Sequence, residues 1–277
     1  MKIIKNTKVE PYLISDRVVW VKREDLCMAH VRFSKMRGVF SHMKNRKEKT
    51  IGVLDTFHSK AGWGVSLAGR SLGKKVVLFY PKFKGENEVR FFQRQAEKCG
   101  AVLIPLPAQR SSILFHKSKK MLIGNYEDSY MMPNALKLDE TVTETAQEVM
   151  SLPDKFFGEN YIWVVSVSSG TIAAGVISGL IEKKSQATVY LHMGYDRSEE
   201  GLRRYLGKKV LKLNGLFSLD VKIKIKIINE KYNYKDSVKY DCPFPCNIYY
   251  DLKAWKWLCE NISFFKDKEI LFWNIGS

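Results

Sequence analysis

The chain has 277 residues, 45% of them hydrophobic, which is enough for one large domain or two medium-sized domains with a buried core. No run approaches about 18 consecutive apolar residues, so no membrane-spanning helix is predicted, and the N-terminal residues lack a signal-peptide pattern. The five cysteines are odd in number and scattered, so we expect a cytoplasmic protein in a reducing compartment. The formal net charge of +17 predicts attraction to phosphates or other polyanions.

The segments alternate in a way that is typical of an α/β protein with mainly parallel strands. The predicted strands, in chain order, are RVVWVKR, TIGVLDT, KVVLFYP, AVLIPLP, YIWVVSV and TVYLHMG. The predicted helices, in chain order, are FSKMRGVFSHMKN, AGWGVSLAGRSLG, ENEVRFFQRQAEKCG, DETVTETAQEVM and TIAAGVISGLIEKK. Residues 43–132 are predicted to form a smaller domain, and residues 1–42 and 133–277 a larger, discontinuous one. A crevice between two such domains, at the carboxyl ends of strands, is where ligands bind.

Two short patterns are open to more than one interpretation. Cys242 and Cys246 are spaced as the start of a zinc site, but no second pair of ligands follows, so we predict no metal. Residues 221–227 alternate between apolar side chains and lysines, which predicts a strand with one charged face. That strand is either a half-buried edge strand kept soluble by its lysines or part of a nucleic-acid-binding face. The lysines are Lys222, Lys224 and Lys226.

Three strand-to-helix junctions carry reactive or polar side chains. Lys35 follows the first strand at the start of a helix, where partial desolvation would lower its pKa and make it a nucleophile toward a carbonyl group. After YIWVVSV, small residues lie where backbone N–H groups and hydroxyls converge on the positive end of a helix, which favours a phosphate. The small residues are Ser168, Ser169, Gly170 and Thr171. After TIGVLDT comes a third polar turn, which contains His58, Ser59 and Lys60.

Together these junctions resemble the tryptophan synthase β-like, or fold-type II, family of pyridoxal-phosphate (PLP) enzymes. The nearest branches are aminocyclopropane-carboxylate deaminase, D-cysteine desulfhydrase and threonine synthase. The segments VKREDL and FSKMRG are similar to the family's Lys-Arg-Glu-Asp-Leu motif and Schiff-base lysine segment. IYYDLKAWKWL resembles the family's Tyr-x-x-Lys-Ala helix. EILFWNIGS resembles the LFxHTGG motif at the C-terminus of the deaminase and desulfhydrase branch. These motifs occur in the family's order over residues 18–277.

The resemblance implies a fold of two three-layer α/β domains with PLP in the crevice between them. It implies that Lys35 carries the cofactor as a Schiff base and then moves the proton at Cα of the substrate. Residues 168–171 would bind the cofactor phosphate. Ser59, also expected to be catalytic, and Lys60 would contact the cofactor's phenolic oxygen and, with His58, the substrate. The implied enzyme is a cytoplasmic homodimer that acts as a lyase, deaminase or β-replacement enzyme on an amino-acid-like amine.

The chain departs from the family pattern at three places, which puts the family's standard substrates in doubt. Val167 and Ser169 stand where relatives usually have glycines, and Lys60 stands where they have asparagine. Ile275 occupies the position of the threonine that meets the pyridine nitrogen, and isoleucine offers no hydrogen bond. Either Asn274 or Ser277 replaces that threonine, or the nitrogen is unpaired.

The basic composition adds a hypothesis about the substrate, because a free amino acid does not require so much positive charge. The amine is then attached to an anion: a phosphorylated amino acid, a nucleotide, or an amino-acid adduct on a DNA base. An alternative is a catalytically inactive protein of the same fold that binds nucleic acid. A third alternative, a kinase or other nucleotide-binding protein, lacks a convincing set of Mg²⁺ ligands.

Overall fold

The computed structural model describes residues 3–28, 31–56, 58–85, 88–214 and 223–276. It contains two α/β units, of which the smaller is Met36–Glu140 and the larger is formed by the described residues on either side of it. Each unit has its own, mainly parallel sheet, which confirms the predicted fold class. The limits of the smaller domain at residues 43 and 132 remain a prediction.

Each predicted strand and helix overlaps an observed element of the same type. The strands are β1 (Val9–Ile14), β2 (Arg17–Arg23), β3 (Thr50–Leu54), β4 (Lys75–Lys82), β5 (Val102–Pro107), β6 (Ser129–Met131), β7 (Tyr161–Val167), β8 (Thr188–Met193), β9 (Lys224–Ile228) and β10 (Glu269–Asn274). The α-helices are α1 (Met36–Lys44), α2 (Ala61–Ser71), α3 (Phe91–Lys98), α4 (Ser111–Asn125), α5 (Asp139–Met150), α6 (Thr171–Glu182), α7 (Glu199–Asn214) and α8 (Asp251–Glu260). None of the described helices is both long and apolar enough to cross a lipid bilayer.

The sheet of the larger unit has the strand order β1-β2-β10-β7-β8-β9. Every pairing in it is parallel except the β1–β2 hairpin. All residues of β7 are buried, and its alternate side chains enter two different core clusters, as expected for a central parallel strand covered on both faces. Trp163 and Val165 belong to one cluster, and Ile162 and Val164 to the other.

This topology places four chain segments at the same end of the strands of the larger sheet. Because β2, β10, β7 and β8 are mutually parallel, their carboxyl ends lie side by side. The segments that leave these ends carry Lys35, the C-terminal residues, the 168–171 loop and the start of the β8–α7 connection. Candidate functional residues that are far apart in sequence therefore lie near one another at this end of the strands.

The sheet of the smaller unit has the order β5-β4-β3-β6 and is parallel throughout. The connections that follow β3, β4 and β5 all leave from one edge of this sheet. They include the His58–Lys60 turn and the residues that precede α3 and α4. The outer strand β5 contains Pro105 and Pro107, and prolines are tolerated in a sheet mainly at its edges.

Strand β9 is an edge strand of the larger sheet, on the side opposite to β1. Ile223, Ile225 and Ile227 pack against the core of this unit, whereas Lys224 and Lys226 are exposed. The prediction of a half-buried edge strand with a lysine face is confirmed over these residues. Val221 and Lys222 lie outside the described residues.

Candidate active site

Lys35 lies immediately before α1, and its side chain points to the loop after β7. Its Nζ atom donates a hydrogen bond to Oγ of Ser169 at 3.0 Å. The chain around Lys35 is anchored from the other side, because the backbone N–H of Ser34 donates to the carbonyl of Ile275 at 3.2 Å. Two of the predicted motifs and the C-terminal segment are therefore in contact within the larger unit.

The 168–171 loop has the geometry of an anion-binding helix start. Gly170 is the residue before α6, with φ of 91°, and no side chain caps the helix. The positive φ favours glycine, and a Cβ atom at this position would also lie in tight contact, 3.0 Å, with the ring of Tyr205. The Ser169 hydroxyl lies 3.1 Å from that of Thr171, which lies 3.0 Å from the Tyr205 hydroxyl. These hydroxyls and the N–H groups of the uncapped first turn form an anion cradle.

A group of tyrosines borders this cradle. The side chain of Tyr250, the residue before α8, interacts with Ser168, and its hydroxyl lies 3.4 Å from that of Tyr234. The ring of Tyr195 packs edge-on against Tyr234, with centroids 5.2 Å apart. Burial raises the pKa of Tyr250 well above its usual value, so this phenol is neutral at physiological pH.

Asp251, the first residue of α8, is the strongest functional candidate that sequence reasoning missed. Its side chain is fully buried, and Oδ2 accepts a hydrogen bond from the N–H of Gly276 at 2.9 Å. Oδ1 is also buried and has no hydrogen-bond partner among the described residues. Burial raises the pKa of Asp251 well above its usual value. Because buried polar atoms are nearly always paired, the orphaned oxygen makes this carboxyl group a candidate contact for a ligand.

The side-chain amide of Asn274 already donates hydrogen bonds within the protein. Its side-chain amide donates to Oδ1 of Asp25 at 3.0 Å and to the carbonyl of Pro245 at 2.9 Å. Asp25 is in turn held by the guanidinium of Arg23 through two hydrogen bonds of 2.8 Å. Arg23, the last residue of β2, and Asp25 thus anchor the last strand. Ser277, the other predicted partner of the pyridine nitrogen, lies outside the described residues.

Arg197, in the connection from β8 to α7, was also missed by the sequence. Its Nε and Nη2 atoms are buried without a hydrogen-bond partner among the described residues. The neighbouring carboxylate, Asp196, accepts hydrogen bonds from Asn229 at 2.8 Å and from Lys231 at 3.1 Å. The guanidinium lies 5.9 Å from the ring centroid of Tyr195. Arg197 as a whole is half-buried, but leaving two buried N–H donors of a cation unpaired among the described residues is costly, so this geometry favours an anionic ligand.

The predicted residues of the smaller unit share one turn before α2. His58 is buried, Oγ of Ser59 accepts the N–H of Ala61 at 2.9 Å, and Lys60 is the residue before the helix. Asp55, at the end of β3, is fully buried, and burial raises its pKa to about 6. The roles of His58, Ser59 and Lys60 toward cofactor and substrate remain predictions.

Comparison with known proteins decides the family. No family model matches the chain. A protein of Pseudomonas phage M6, named glycyl-dTMP PLP-dependent decarboxylase, is 46% identical, and the match covers 99% of each chain. The chain belongs to the fold-type II family of PLP-dependent enzymes. The resemblance seen in the sequence, the PLP cofactor and the enzyme class are confirmed.

Solved structures agree with this fold-type II assignment at the level of the fold. An ACC deaminase homologue has a TM-score of 0.81 at 16% identity, covering 100% of this chain and 90% of that chain. Diaminopropionate ammonia lyase from Escherichia coli has a TM-score of 0.66 at 14% identity, covering 99% and 83%.

The described residues fit the cofactor of this fold-type II enzyme. Lys35 supplies an amine beside an uncapped helix start, and the cradle supplies hydroxyls and backbone N–H groups of the kind that bind phosphate. The orphaned Oδ1 of Asp251 supplies an acceptor for a protonated ring nitrogen. Gly276 N–H and the Ser34–Ile275 hydrogen bond connect this carboxyl group to the Lys35 segment.

Proposed function

We propose that this enzyme removes the carboxyl group from an amino acid attached to a thymidine nucleotide, either free or within DNA. The observation that carries the proposal is the 46% identity, over 99% of both chains, to the phage protein named glycyl-dTMP PLP-dependent decarboxylase. The net charge of +17 supports an anionic substrate. Decarboxylation is not among the reactions expected from the sequence, although it also acts at Cα, and the nucleotide-linked amine agrees with one of the predicted substrates.

The cofactor would be held by three groups of the larger unit. Lys35 would bind its aldehyde carbon, and the cradle formed by residues 168–171 would bind its phosphate. Asp251 would accept the hydrogen bond of the pyridine nitrogen. We prefer Asp251 to Asn274 because the amide of Asn274 already donates to Asp25 and Pro245, whereas Asp251 has a buried oxygen to offer.

The reaction needs one bond to Cα to break and one to form. When bound, PLP supplies an electron sink for the electron pair that remains at Cα. In decarboxylation the Cα–carboxylate bond breaks, carbon dioxide leaves, and a proton takes its place on Cα. Lys35 is the residue we assign to deliver that proton, since its amine lies beside the cradle that would hold the cofactor and can act as a general acid there. Ser169 holds this amine at 3.0 Å and orients it.

Arg197 and its tyrosine neighbours provide a site for the nucleotide part of the substrate. A guanidinium binds phosphate oxygens in pairs, and Arg197 has two buried nitrogen atoms available for this purpose. The rings of Tyr195 and Tyr234 offer apolar faces beside it. We assign the substrate phosphate to Arg197 and the thymine ring to this tyrosine pair.

The test of the proposed function is direct. Holoenzyme is incubated with glycyl-dTMP labelled with ¹³C in the glycyl carboxyl group, and released carbon dioxide and the nucleotide product are followed by mass spectrometry. We expect labelled carbon dioxide together with an amine that retains the nucleotide. Lys35→Ala is the negative control, and free glycine is the substrate control. Ammonia release with the carboxyl label retained in the product would contradict the proposal.

A further inference from the structure

The smaller unit carries a surface of alternating aromatic and basic side chains, which we call the basic aromatic strip. We propose that the basic aromatic strip binds an unpaired, single-stranded segment of DNA that carries the substrate nucleotide; this inference rests on the proposed function. The strip consists of Lys60, Trp63, Lys82, Phe83, Lys84, Arg90, Phe91 and Phe92.

The aromatic part of the strip is centred on the start of α3. The rings of Phe91 and Phe92 lie 5.5 Å apart, and that of Trp63 lies 6.3 Å from each of them. Phe91 remains 56% exposed. A single exposed phenylalanine is ordinary, but here the exposed ring belongs to a cluster that positions it. A ring held in this way can stack on a nucleobase, whatever the identity of the base.

Cations border the aromatic cluster on two sides. Nζ of Lys60 lies 5.5 Å from the ring centroid of Phe92, and Cζ of Arg90 lies 5.2 Å from that of Phe83. Phe83 also lines a cleft of about 710 Å³, together with Lys82 and Lys84. The remaining lining residues are Gly85 and 105–108, so no carboxylate lines the cleft among the described residues. The cleft therefore offers positive charge to a phosphate backbone.

The strip lies at the carboxyl ends of strands in the smaller unit. It is built from the connections that leave the carboxyl ends of β3 and β4, the edge of a parallel sheet at which ligands bind. Lys60 belongs to the turn that the family resemblance assigns to the cofactor ring. Between residues 36 and 140 the sequence has 19 Lys and Arg residues against nine Asp and Glu, so this unit carries more than half of the net charge.

Chemistry favours single-stranded DNA over a peptide as the occupant. Enzymes that act on a base inside DNA must take that base out of the stack, which leaves neighbouring bases in need of a surface. Single-strand binding combines a positive groove with aromatic faces, and the strip has both. An extended peptide would instead add to a sheet edge, and the edge strand at the cleft contains Pro105 and Pro107, which lack N–H donors.

The first test measures binding of a fluorescein-labelled oligothymidylate to the holoenzyme by fluorescence anisotropy. Phe91→Ala should weaken binding about tenfold or more, because one stacked base is lost. Phe91→Trp should retain or increase the affinity, and Phe91→Leu should lose it although the residue stays apolar. Phe264→Ala is the matched control, because Phe264 is 80% exposed and lies in the larger unit outside the strip. Equal affinities of Phe91→Ala and the wild type would overturn the proposal, as would binding of duplex DNA alone.

The second test separates charge from stacking. The double variant Lys82→Gln/Lys84→Gln should lower the slope of log affinity against log salt concentration by about 1.4, as expected for the loss of two phosphate contacts to a single strand. The control is Lys224→Gln/Lys226→Gln on the exposed face of β9. If this control reduces the slope and the first pair does not, the DNA-binding face is β9 and the proposal is overturned.

The failure of this inference can be distinguished from the failure of the proposed function. Phe91→Ala should lower decarboxylation of a glycyl-thymidine within an oligonucleotide more than decarboxylation of glycyl-dTMP. If the wild type decarboxylates neither substrate but Phe91→Ala still weakens oligonucleotide binding, the proposed function is wrong, whereas DNA binding by the basic aromatic strip is supported. If both substrates are decarboxylated and Phe91→Ala changes neither the ratio of the two decarboxylation rates nor oligonucleotide binding, only the proposed DNA binding by the basic aromatic strip is wrong. Unchanged circular dichroism and cofactor absorbance verify that each variant is folded.

Discussion

Nζ of Lys35 donates a hydrogen bond to Oγ of Ser169 at 3.0 Å, across 134 residues of sequence. The two residues follow β2 and β7, which are separated in the sheet by β10 alone, and all three strands are parallel. The Lys35 amine is thereby held beside the uncapped N-terminus of α6. Ser169 stands where relatives usually have glycine, so in this chain the departure from the family pattern supplies the hydroxyl group that holds the lysine.

Gly170→Ala should weaken cofactor binding. A residue with a Cβ atom pays about 1–2 kcal/mol for the left-handed conformation at φ of 91°, and its Cβ would meet the Tyr205 ring at 3.0 Å. We expect a lower affinity for PLP, measured by absorbance titration of the apoenzyme. Gly207→Ala in α7 is the control, since no atom lies within 4 Å of a Cβ there and alanine favours the helix. Equal PLP affinities of the two variants would contradict the assignment of the cradle.

Asp251→Asn should slow turnover more than it weakens cofactor binding. Asparagine can still accept the N–H of Gly276 through its carbonyl oxygen, so the fold around α8 is retained. Unlike Asp251, it cannot ionise when a protonated pyridine ring lies beside it, and we expect kcat to fall by about 10²-fold. The pH dependence of the cofactor absorbance should shift as well. Wild-type kcat together with an unchanged spectrum would show that Asp251 does not face the ring nitrogen.

Arg197→Gln should raise KM for glycyl-dTMP by about 10- to 100-fold, the cost of losing hydrogen bonds between a cation and an anion. Arg197→Lys should recover part of this loss, because the charge remains while the paired geometry is absent. Glycyl-thymidine, which lacks the phosphate, should show little difference between wild type and variant. Arg203→Gln on the exposed face of α7 is the control, because Arg203 pairs with Glu199. An equal increase in KM for both substrates would assign Arg197 to the amino-acid part instead.

Asp55 gives a pH-dependent contribution to stability. Its pKa is raised from 3.8 to about 6 in the folded protein, so between these values the folded state binds more protons than the unfolded state. The free energy of unfolding should therefore decrease as pH rises through this window, by up to about 3 kcal/mol from this group. Asp55→Asn should remove that part of the slope in urea titrations at several pH values. Identical slopes for wild type and Asp55→Asn would contradict it.

The sequence predicted those elements whose burial is periodic and apolar. It missed α4, because the buried positions of this helix include Ser118 between Leu114 and Leu122, while Ile113 and Ile123 are exposed. It also missed the β1–β2 hairpin. The turn of that hairpin has positive φ at both Ser15 and Asp16, a conformation usually indicated in sequence by asparagine or glycine.

The part of the candidate site that could be predicted consists of residues in recognisable sequence motifs. Lys35 and the 168–171 loop stand at strand-to-helix junctions, and their contact follows from the parallel topology. Asp251 and Arg197 could not be found in this way. They are distinguished by buried polar atoms that have no hydrogen-bond partner among the described residues, and no spacing in the sequence encodes that property.

The most direct test of the central claim is the visible spectrum of the purified protein, recorded with added PLP beside Lys35→Ala. The Lys35–cofactor linkage predicts a Schiff-base absorbance band in the wild type that borohydride reduction fixes to the peptide containing Lys35, and no such band in Lys35→Ala. Retention of the band in Lys35→Ala, or labelling of a different lysine after reduction, would contradict the assignment of Lys35.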